Sequence, residues 1–264
     1  MTDELLYDVT DRVATITFNR PDRMNTITPR MLNDLSARLI EADQDRDVRV
    51  IVITGEGRAW CAGLDVAAAA SGDGIGGGGG AGATGDFNLR DAPPVVLHKI
   101  DTPTIAALNG GAAGYGMDIA LGCDLRIASE KAKLSAAYTA RGLVPESGGT
   151  WLLPRIIGWS KAAELLFTAK TLTAEEALDF GLVSRVVAPD ELPDAARALA
   201  GQVAANAPLA IRAAKRLMRS AMSEDHEEHI QRQYLELLLL FQSKDFQEGL
   251  HSYLEKRPAE FEGQ

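Results

Sequence analysis

Short apolar runs recur along the first half of the chain and predict β-strands separated by helices. Residues 5–9 and 13–18 are rich in β-forming side chains and flank a polar turn, which predicts a hairpin. Residues 48–54, 104–108 and 125–128 are short and nearly all apolar, a pattern typical of buried strands. These runs alternate with helical patterns, which favours an α/β fold with parallel strand pairing.

Helix-start signals mark two of the intervening segments. Thr28-Pro29 is typical of an N-cap followed by proline at the first helical position, and apolar residues then recur at helical spacing. Thr173 and Glu176 have the spacing of a capping box, and Gly181 is placed to end the short helix that follows. Successive helices are then predicted over residues 192–205, 208–221, 224–241 and 246–254.

Residues 72–85 consist mostly of glycine and differ from the rest of the chain. Such a stretch loses much backbone entropy on ordering and offers almost no side chain to bury. We interpret it as a mobile surface loop, with a lid over the neighbouring turn as the alternative. It is not a dinucleotide-binding fingerprint, because no strand leads into it and no helix opens from it.

Two turns of small residues each follow an apolar run and carry the main chemical signal. They span residues 60–65 and 109–118. Glycine allows a backbone to pass close to a ligand and to point N–H groups at it. If the second turn opens a helix, its first N–H groups also lack intrahelical acceptors and carry positive dipole character. Two such turns facing each other would form an oxyanion hole for an enolate or a tetrahedral oxyanion.

Composition excludes several classes of partner and compartment. The 264 residues carry a formal net charge of −10, which argues against nucleic acid or an anionic membrane as the main partner. No apolar run approaches the roughly 18–20 residues of a transmembrane helix, and no secretory signal is visible at the start. Two cysteines, Cys61 and Cys123, are expected to be free thiols in a cytoplasmic protein.

Other candidate centres have simpler interpretations. His226 and His229 lack the i, i+4 spacing of a metalloprotease motif, and their charged surroundings indicate a solvated helix face. Cys61 has no identifiable base, so packing at a tight corner is favoured over a nucleophile. Ser147 does not sit in a Gly-x-Ser-x-Gly elbow. We therefore expect no metal site.

Several short motifs follow one another in a recognisable order. They are Asn19-Arg20-Pro21, Met24-Asn25-Thr26-Ile27, Cys61-Ala62-Gly63-Leu64-Asp65, residues 109–118, residues 120–124, residues 142–149, residues 174–177, Gly181-Leu182-Val183, and the tail around residues 248–257. In this order they resemble the enoyl-CoA hydratase/isomerase (crotonase) superfamily over nearly the whole chain. Each motif is weak alone, and the ordered set is specific.

The resemblance implies a crotonase-like spiral of ββα units over residues 1–195. A helical C-terminal region over residues 196–264 would build homotrimers, often paired into hexamers. The substrates would be acyl-CoA thioesters, with coenzyme A entering as part of the substrate and no separate cofactor.

By position, the resemblance assigns the oxyanion donors to the backbone N–H groups of Leu64 and Tyr115. Tyr115 stands where many relatives have glycine, and its side chain could narrow the pocket. The substrate-binding residues expected are Arg23, Met24, Ala62, Gly63, Asp65, Gly114, Tyr138 and Lys256. For Lys256 and Arg257, contact with the coenzyme A of a neighbouring subunit stands beside an ordinary solvated tail as interpretations.

The acids depart from the pattern of the hydratases. Those relatives have two glutamates, whereas this chain has Asp118 and Tyr138 at the matching positions. A tyrosine that titrates near 10 polarises water poorly, so hydration by two carboxylates is in doubt. Glu146 stands where several isomerases of the family place an acidic base. Its alternative is an N-cap or first-turn acid of the next helix, and Asp118 could instead be a helix-dipole partner or orient water.

The leading hypothesis is an enoyl-CoA double-bond isomerase in which Glu146 shuttles the proton. A 2-enoyl-CoA hydratase that uses Asp118 and Glu146 is the first alternative. A non-catalytic acyl-CoA-binding protein is the second.

Overall fold

The computed structural model describes residues 3–65, 91–145 and 147–264. The glycine-rich segment 72–85 and the proposed base Glu146 lie outside the described residues, so the expectations for them stay predictions.

Two sheets form the framework. The larger sheet has the order β1-β2-β3-β5-β7-β10 and the smaller sheet the order β4-β6-β8-β9. The strands are β1 (Leu5–Thr10), β2 (Val13–Phe18), β3 (Val50–Gly55), β4 (Ala59–Cys61), β5 (Thr104–Leu108), β6 (Gly111–Ala113), β7 (Leu125–Ser129), β8 (Lys133–Ser135), β9 (Thr171–Thr173) and β10 (Arg185–Val187). β1 and β2 form the predicted antiparallel hairpin, and β2, β3, β5, β7 and β10 pair in parallel, as expected.

Helices connect the strands and make up the C-terminal region. They are α1 (Pro29–Gln44), α2 (Pro93–Lys99), α3 (Tyr115–Gly122), α4 (Gly149–Ile157), α5 (Trp159–Thr168), α6 (Ala174–Phe180), α7 (Leu192–Ala204), α8 (Pro208–Ser220), α9 (His226–Leu240) and α10 (Lys244–Glu255). None of these described helices is long and apolar enough to cross a membrane.

The predicted helix ends are confirmed in detail. The Thr28 side chain accepts a hydrogen bond from the Met31 N–H and caps α1, with Pro29 in its first turn. Thr173 and Glu176 form the full capping box of α6, and Gly181 ends that helix in the left-handed conformation at φ 81°.

The chain steps repeatedly from the larger sheet to the smaller one and back through a helix. β3 leads to β4, β5 to β6 and α3, and β7 to β8. This repetition is the expected spiral of ββα units. The core fills the space between the layers, where Phe18 and Trp60 meet edge to face at 5.1 Å between ring centroids.

Helix α7 covers the other face of the larger sheet. Its Leu192, Ala196 and Ala200 are buried against Val50 and Ile105. The helix spans the expected boundary between residues 195 and 196, and that division of the chain stays a prediction.

The C-terminal helices leave many large apolar side chains in solvent. The most exposed on α9 and α10 are Ile230, Tyr234, Leu235, Leu239, Tyr253 and Leu254. Arg216 on α8 joins this region to the rest of the protein, because its guanidinium pairs with Asp101 at 2.7 Å and with Glu236 at 2.9 Å.

Candidate active site

Parallel pairing of β4 with β6 brings the two small-residue turns together. Ala59 pairs with Gly111 and Cys61 with Ala112, so the chain leaves both strands at the same edge of the smaller sheet. Gly63 follows β4 at φ 86°, where a Cβ would lie 2.6 Å from the Ala113 carbonyl oxygen and 3.3 Å from the Tyr115 nitrogen. The two turns are therefore in backbone contact, and glycine is required for it.

The Tyr115 N–H lies at the positive end of a helix. Tyr115 is the first residue of α3, and the first intrahelical bond runs from Asp118 N to Gly114 O at 3.1 Å. Gly114 adopts φ 53° and ψ −127°, a conformation open essentially to glycine alone. The Tyr115 side chain is buried, which keeps it in the core around the helix. The N–H of residue 115 thus has no acceptor within its helix.

The backbone N–H of Leu64 points away from the segment that contains Ile27. Leu64 forms an isolated parallel bridge with Ile27, and the Ile27 N–H donates to Gly63 O at 2.9 Å. In a parallel bridge of this kind the bonds run to the residues that flank the bridged one. The N–H of Leu64 therefore faces the opposite side from Ile27.

A buried aspartate fixes the first turn to the loop that precedes α1. Asp65 is 9% exposed and accepts hydrogen bonds from Arg23 at 3.1 Å and from Thr26 at 3.3 Å. Arg20 adds an ion pair at 3.8 Å. The Ala62 N–H donates to Met24 O at 3.1 Å. Arg23 and Met24 are thus held beside the first turn, where a role in binding was expected.

Asn25 supports the same region, and sequence reasoning gave it no separate role. It is fully buried at φ 54°, and its side-chain amide donates to Glu56 O and to Ala59 O. Its side-chain oxygen accepts from the Arg20 N–H at 2.8 Å. The only sequence signal was its position in a recognised motif.

Asp118 lies inside the first turn of α3 and is 1% exposed. Its carboxylate is packed against α4, because a Cβ on Gly149 would lie 2.4 Å from the Asp118 Oδ1 atom. Tyr138 is also buried, at 5% exposure, and is the N-cap of the short 3-10 helix Thr139–Arg141. Sequence reasoning missed the approach of Gly149, and the adjacent glycines 148 and 149 were the available signal.

Helix α4 begins three residues after Glu146. The N-cap of α4 is Gly148, and its first turn contains no acidic residue. The capping interpretation of Glu146 stays a prediction. Its side chain lies outside the described residues, and its role as a base stays a prediction.

Cys61 is unsuited to nucleophilic chemistry. Burial raises the pKa of its thiol to about 12, an effect only partly offset by a backbone hydrogen bond from Gly63. A thiol that stays protonated at neutral pH is a poor nucleophile, which confirms the packing interpretation. Cys123 is likewise a buried free thiol.

On α9, His226 is exposed and His229 lies beside an acidic residue that precedes the helix. The Nδ1 atom of His229 lies 3.2 Å from the Glu224 carboxylate. Within residues 3–65, 91–145 and 147–264, no group of three or more side chains has the arrangement of a metal site.

Lys256 lies far along the chain from the two turns, at the C-terminal end of α10. It is exposed and adopts the left-handed conformation at φ 55°. The next residue, Arg257, pairs with Glu248 at 2.6 Å and with Glu255 at 2.7 Å. These pairs fix the backbone beside Lys256.

Comparisons of the sequence and the structure with known proteins agree with this fold. A family model described as enoyl-CoA hydratase/isomerase matches residues 8–264. The chain is 35% identical to a 1,2-epoxyphenylacetyl-CoA isomerase of Escherichia coli over 100% of both chains. It is 37% identical to an (E)-benzylidenesuccinyl-CoA hydratase of Thauera aromatica, covering 97% of this chain and 98% of that protein. A solved enoyl-CoA hydratase subunit of Geobacillus kaustophilus superposes with a TM-score of 0.90 at 35% identity, with 99% of each chain covered.

Proposed function

This chain belongs to the enoyl-CoA hydratase/isomerase family, and from that premise we propose that it is an enoyl-CoA double-bond isomerase. It is an enzyme of the hydratase/isomerase kind, and the proposal concerns which of the two reactions it performs. Its substrates are acyl-CoA thioesters, and it uses no cofactor beyond the coenzyme A that the substrate carries.

The observation that supports enolate chemistry is the contact between the two turns. The proposed donors are the N–H groups of Leu64 and Tyr115, which point to the thioester carbonyl oxygen of the substrate. Negative charge collects on that oxygen when a proton leaves the α carbon, and both donors then bind it more strongly. In comparable sites the loss of one such donor costs about 3–4 kcal/mol at the transition state.

The proposed base is Glu146. It removes a proton from C2 of a 3-enoyl thioester, and the electron pair moves onto the carbonyl oxygen. The same carboxyl group then returns the proton to C4, which leaves the double bond between C2 and C3. One carboxyl group is sufficient for this sequence.

Tyr138 favours isomerisation over hydration. It stands where the hydratases of the family place a second glutamate, and it is buried at 5% exposure. A neutral phenol does not activate water as a carboxylate does. The isomerase relative of Escherichia coli is consistent with this choice.

Hydration is the second candidate. Asp118 is buried in the first turn of α3 and is proposed, in this alternative, to orient water together with Glu146. The hydratase relative of Thauera aromatica supports this alternative. Family membership supports either enzyme over a non-catalytic acyl-CoA-binding protein.

Coenzyme A binding is proposed for Arg23, Met24 and Lys256, with Lys256 acting on a neighbouring subunit. The exposed apolar residues of α9 and α10 support assembly into trimers, or into hexamers made of two trimers. Light scattering of the purified protein, with Leu235→Asp as a disruptive variant, tests this assembly.

The deciding experiment compares two assays on one preparation. Conversion of 3-enoyl-CoA to 2-enoyl-CoA is measured beside water addition to crotonyl-CoA, for the wild type, Glu146→Gln and the exposed control Glu130→Gln. We expect isomerisation to dominate and to fall at least about 100-fold in Glu146→Gln alone. Strong hydration without isomerisation, or full isomerase activity of Glu146→Gln, would refute the proposal.

A further inference from the structure

The first residue of α4 touches the carboxylate of Asp118. A Cβ on Gly149 would lie 2.4 Å from Asp118 Oδ1, 3.2 Å from Asp118 Cγ and 2.7 Å from the Cβ of Pro145. An added methyl group would be wedged between a buried carboxylate and a proline ring. The space that a side chain of residue 149 would need is therefore already taken.

The local backbone explains why α4 can approach so closely. Gly148 is its N-cap and has φ 105° and ψ 0°, a left-handed conformation that favours glycine. The N–H groups of Trp151 and Leu152 both donate to Gly148 O. The N–H groups of Gly149 and Thr150 precede these bonds and have no acceptor within the helix.

The carboxylate thus lies between the starts of two helices. Asp118 belongs to the first turn of α3, and α4 begins at the residue that touches Asp118 Oδ1. The positive ends of both helix dipoles favour a negative charge at this position. Asp118 has one methylene fewer than glutamate, so its carboxylate stays close to its own helix and fills the space beside Gly149.

We propose that Gly149 is a positioning residue, because its missing side chain leaves the space that sets where the Asp118 carboxylate lies relative to the N–H of Tyr115. This proposal rests on the proposed function, in which the Tyr115 N–H holds the thioester oxygen, and adds that the Asp118 carboxylate in the same helix turn acts on the transition state formed there. An alanine at position 149 must displace either the carboxylate or the start of α4. Displacement of the carboxylate alters its distance from the donor at Tyr115 without removing any chemical group, whereas a shift of α4 alone leaves that distance unchanged.

The test is a double-mutant cycle with two readouts. Gly149→Ala is combined with Asp118→Ala, which removes the obstructing carboxylate, and with Asp118→Asn, which keeps its size but not its charge. Gly201→Ala is the matched control, because Gly201 lies in α7 and a Cβ there would have nothing within 4 Å. The readouts are the thermal midpoint, and kcat and KM for 3-enoyl-CoA.

We expect Gly149→Ala to lower the thermal midpoint in the wild-type and Asp118→Asn backgrounds and to have much less effect in Asp118→Ala. We also expect kcat to fall about tenfold or more with KM within about threefold, as for a displaced group that acts in the transition state. Equal destabilisation in all three backgrounds would overturn the proposal, and so would an unchanged kcat.

The test separates this inference from the proposed function. If the wild type turns over no acyl-CoA, the function fails, and the inference is then decided by a crystal structure of Gly149→Ala. A displaced Asp118 carboxylate supports it, and an unmoved carboxylate overturns it.

Discussion

The carbonyl oxygen of Cys61 faces Gly116 so closely that a Cβ on residue 116 would lie 2.2 Å from it. This contact fixes the end of β4 against the first turn of α3. Because Leu64 follows β4 and Tyr115 opens α3, the contact also sets the distance between the two proposed donors. The proposed oxyanion site thus depends on backbone packing between the two turns, and any side chain at position 116 must separate them.

Gly116→Ala is expected to abolish most activity. Separating the turns removes at least one donor from its place, which corresponds to about 3–4 kcal/mol or several hundredfold in kcat. The matched control is Gly111→Ala in β6, where a Cβ would meet nothing within 4 Å. Steady-state kinetics on folded protein, checked by circular dichroism, measures both. Near-normal kcat in Gly116→Ala would show that the spacing of the turns does not matter.

Tyr138→Phe is expected to keep isomerase activity within about threefold, because the phenol is not the group that moves the proton. Its ring is part of the buried core, and phenylalanine preserves that packing. Initial rates with 3-enoyl-CoA for the wild type and the variant provide the measurement. A loss of a hundredfold or more would assign the hydroxyl group a direct catalytic role.

Asp65→Asn is expected to loosen the first turn. The buried carboxylate accepts hydrogen bonds from Arg23 and Thr26, and loss of its charge should lower the free energy of unfolding by about 1–3 kcal/mol. Urea unfolding measures the change. Asp34→Asn is the control, since its ion pair with Arg30 is exposed and contributes little. Equal effects of the two variants would contradict the proposed role of Asp65.

The two buried thiols are expected to make the protein less stable at alkaline pH. Burial raises the pKa of Cys61 and of Cys123 to about 12 each. Thiols in the unfolded chain ionise near pH 8.5–9. The stability that the protein gains by burying them in the neutral form is therefore complete below that pH and is lost progressively up to about pH 12. In this window each thiol lowers the free energy of unfolding by about 1.4 kcal/mol per pH unit.

The measurement is urea unfolding between pH 8 and 10.5 for the wild type and Cys123→Ala. The variant should lose stability less steeply with pH, whatever its stability at pH 8. Identical slopes would show that Cys123 ionises as freely in the fold as in the unfolded chain.

Local sequence signals predicted most of the secondary structure. The hairpin of β1 and β2, the Thr28 cap and the Thr173–Glu176 capping box each depend on residues a few positions apart, so the sequence contains their full description. The two glycine-containing turns could also be predicted from the sequence, because a close approach of two backbones favours glycine.

Long-range contacts could not be predicted in the same way. Arg23 and Asp65 are 42 positions apart, and nothing local indicates that they pair. The contact between Asp118 and Gly149 depends on how α4 packs against α3, which the pattern of apolar residues leaves open.

A crystal structure with a bound acyl-CoA substrate analogue decides whether the two N–H groups bind the thioester. We expect the thioester carbonyl oxygen to lie about 2.7–3.1 Å from the backbone nitrogens of both Leu64 and Tyr115. A carbonyl oxygen beyond hydrogen-bond reach of either nitrogen, with the analogue fully occupied, would contradict it.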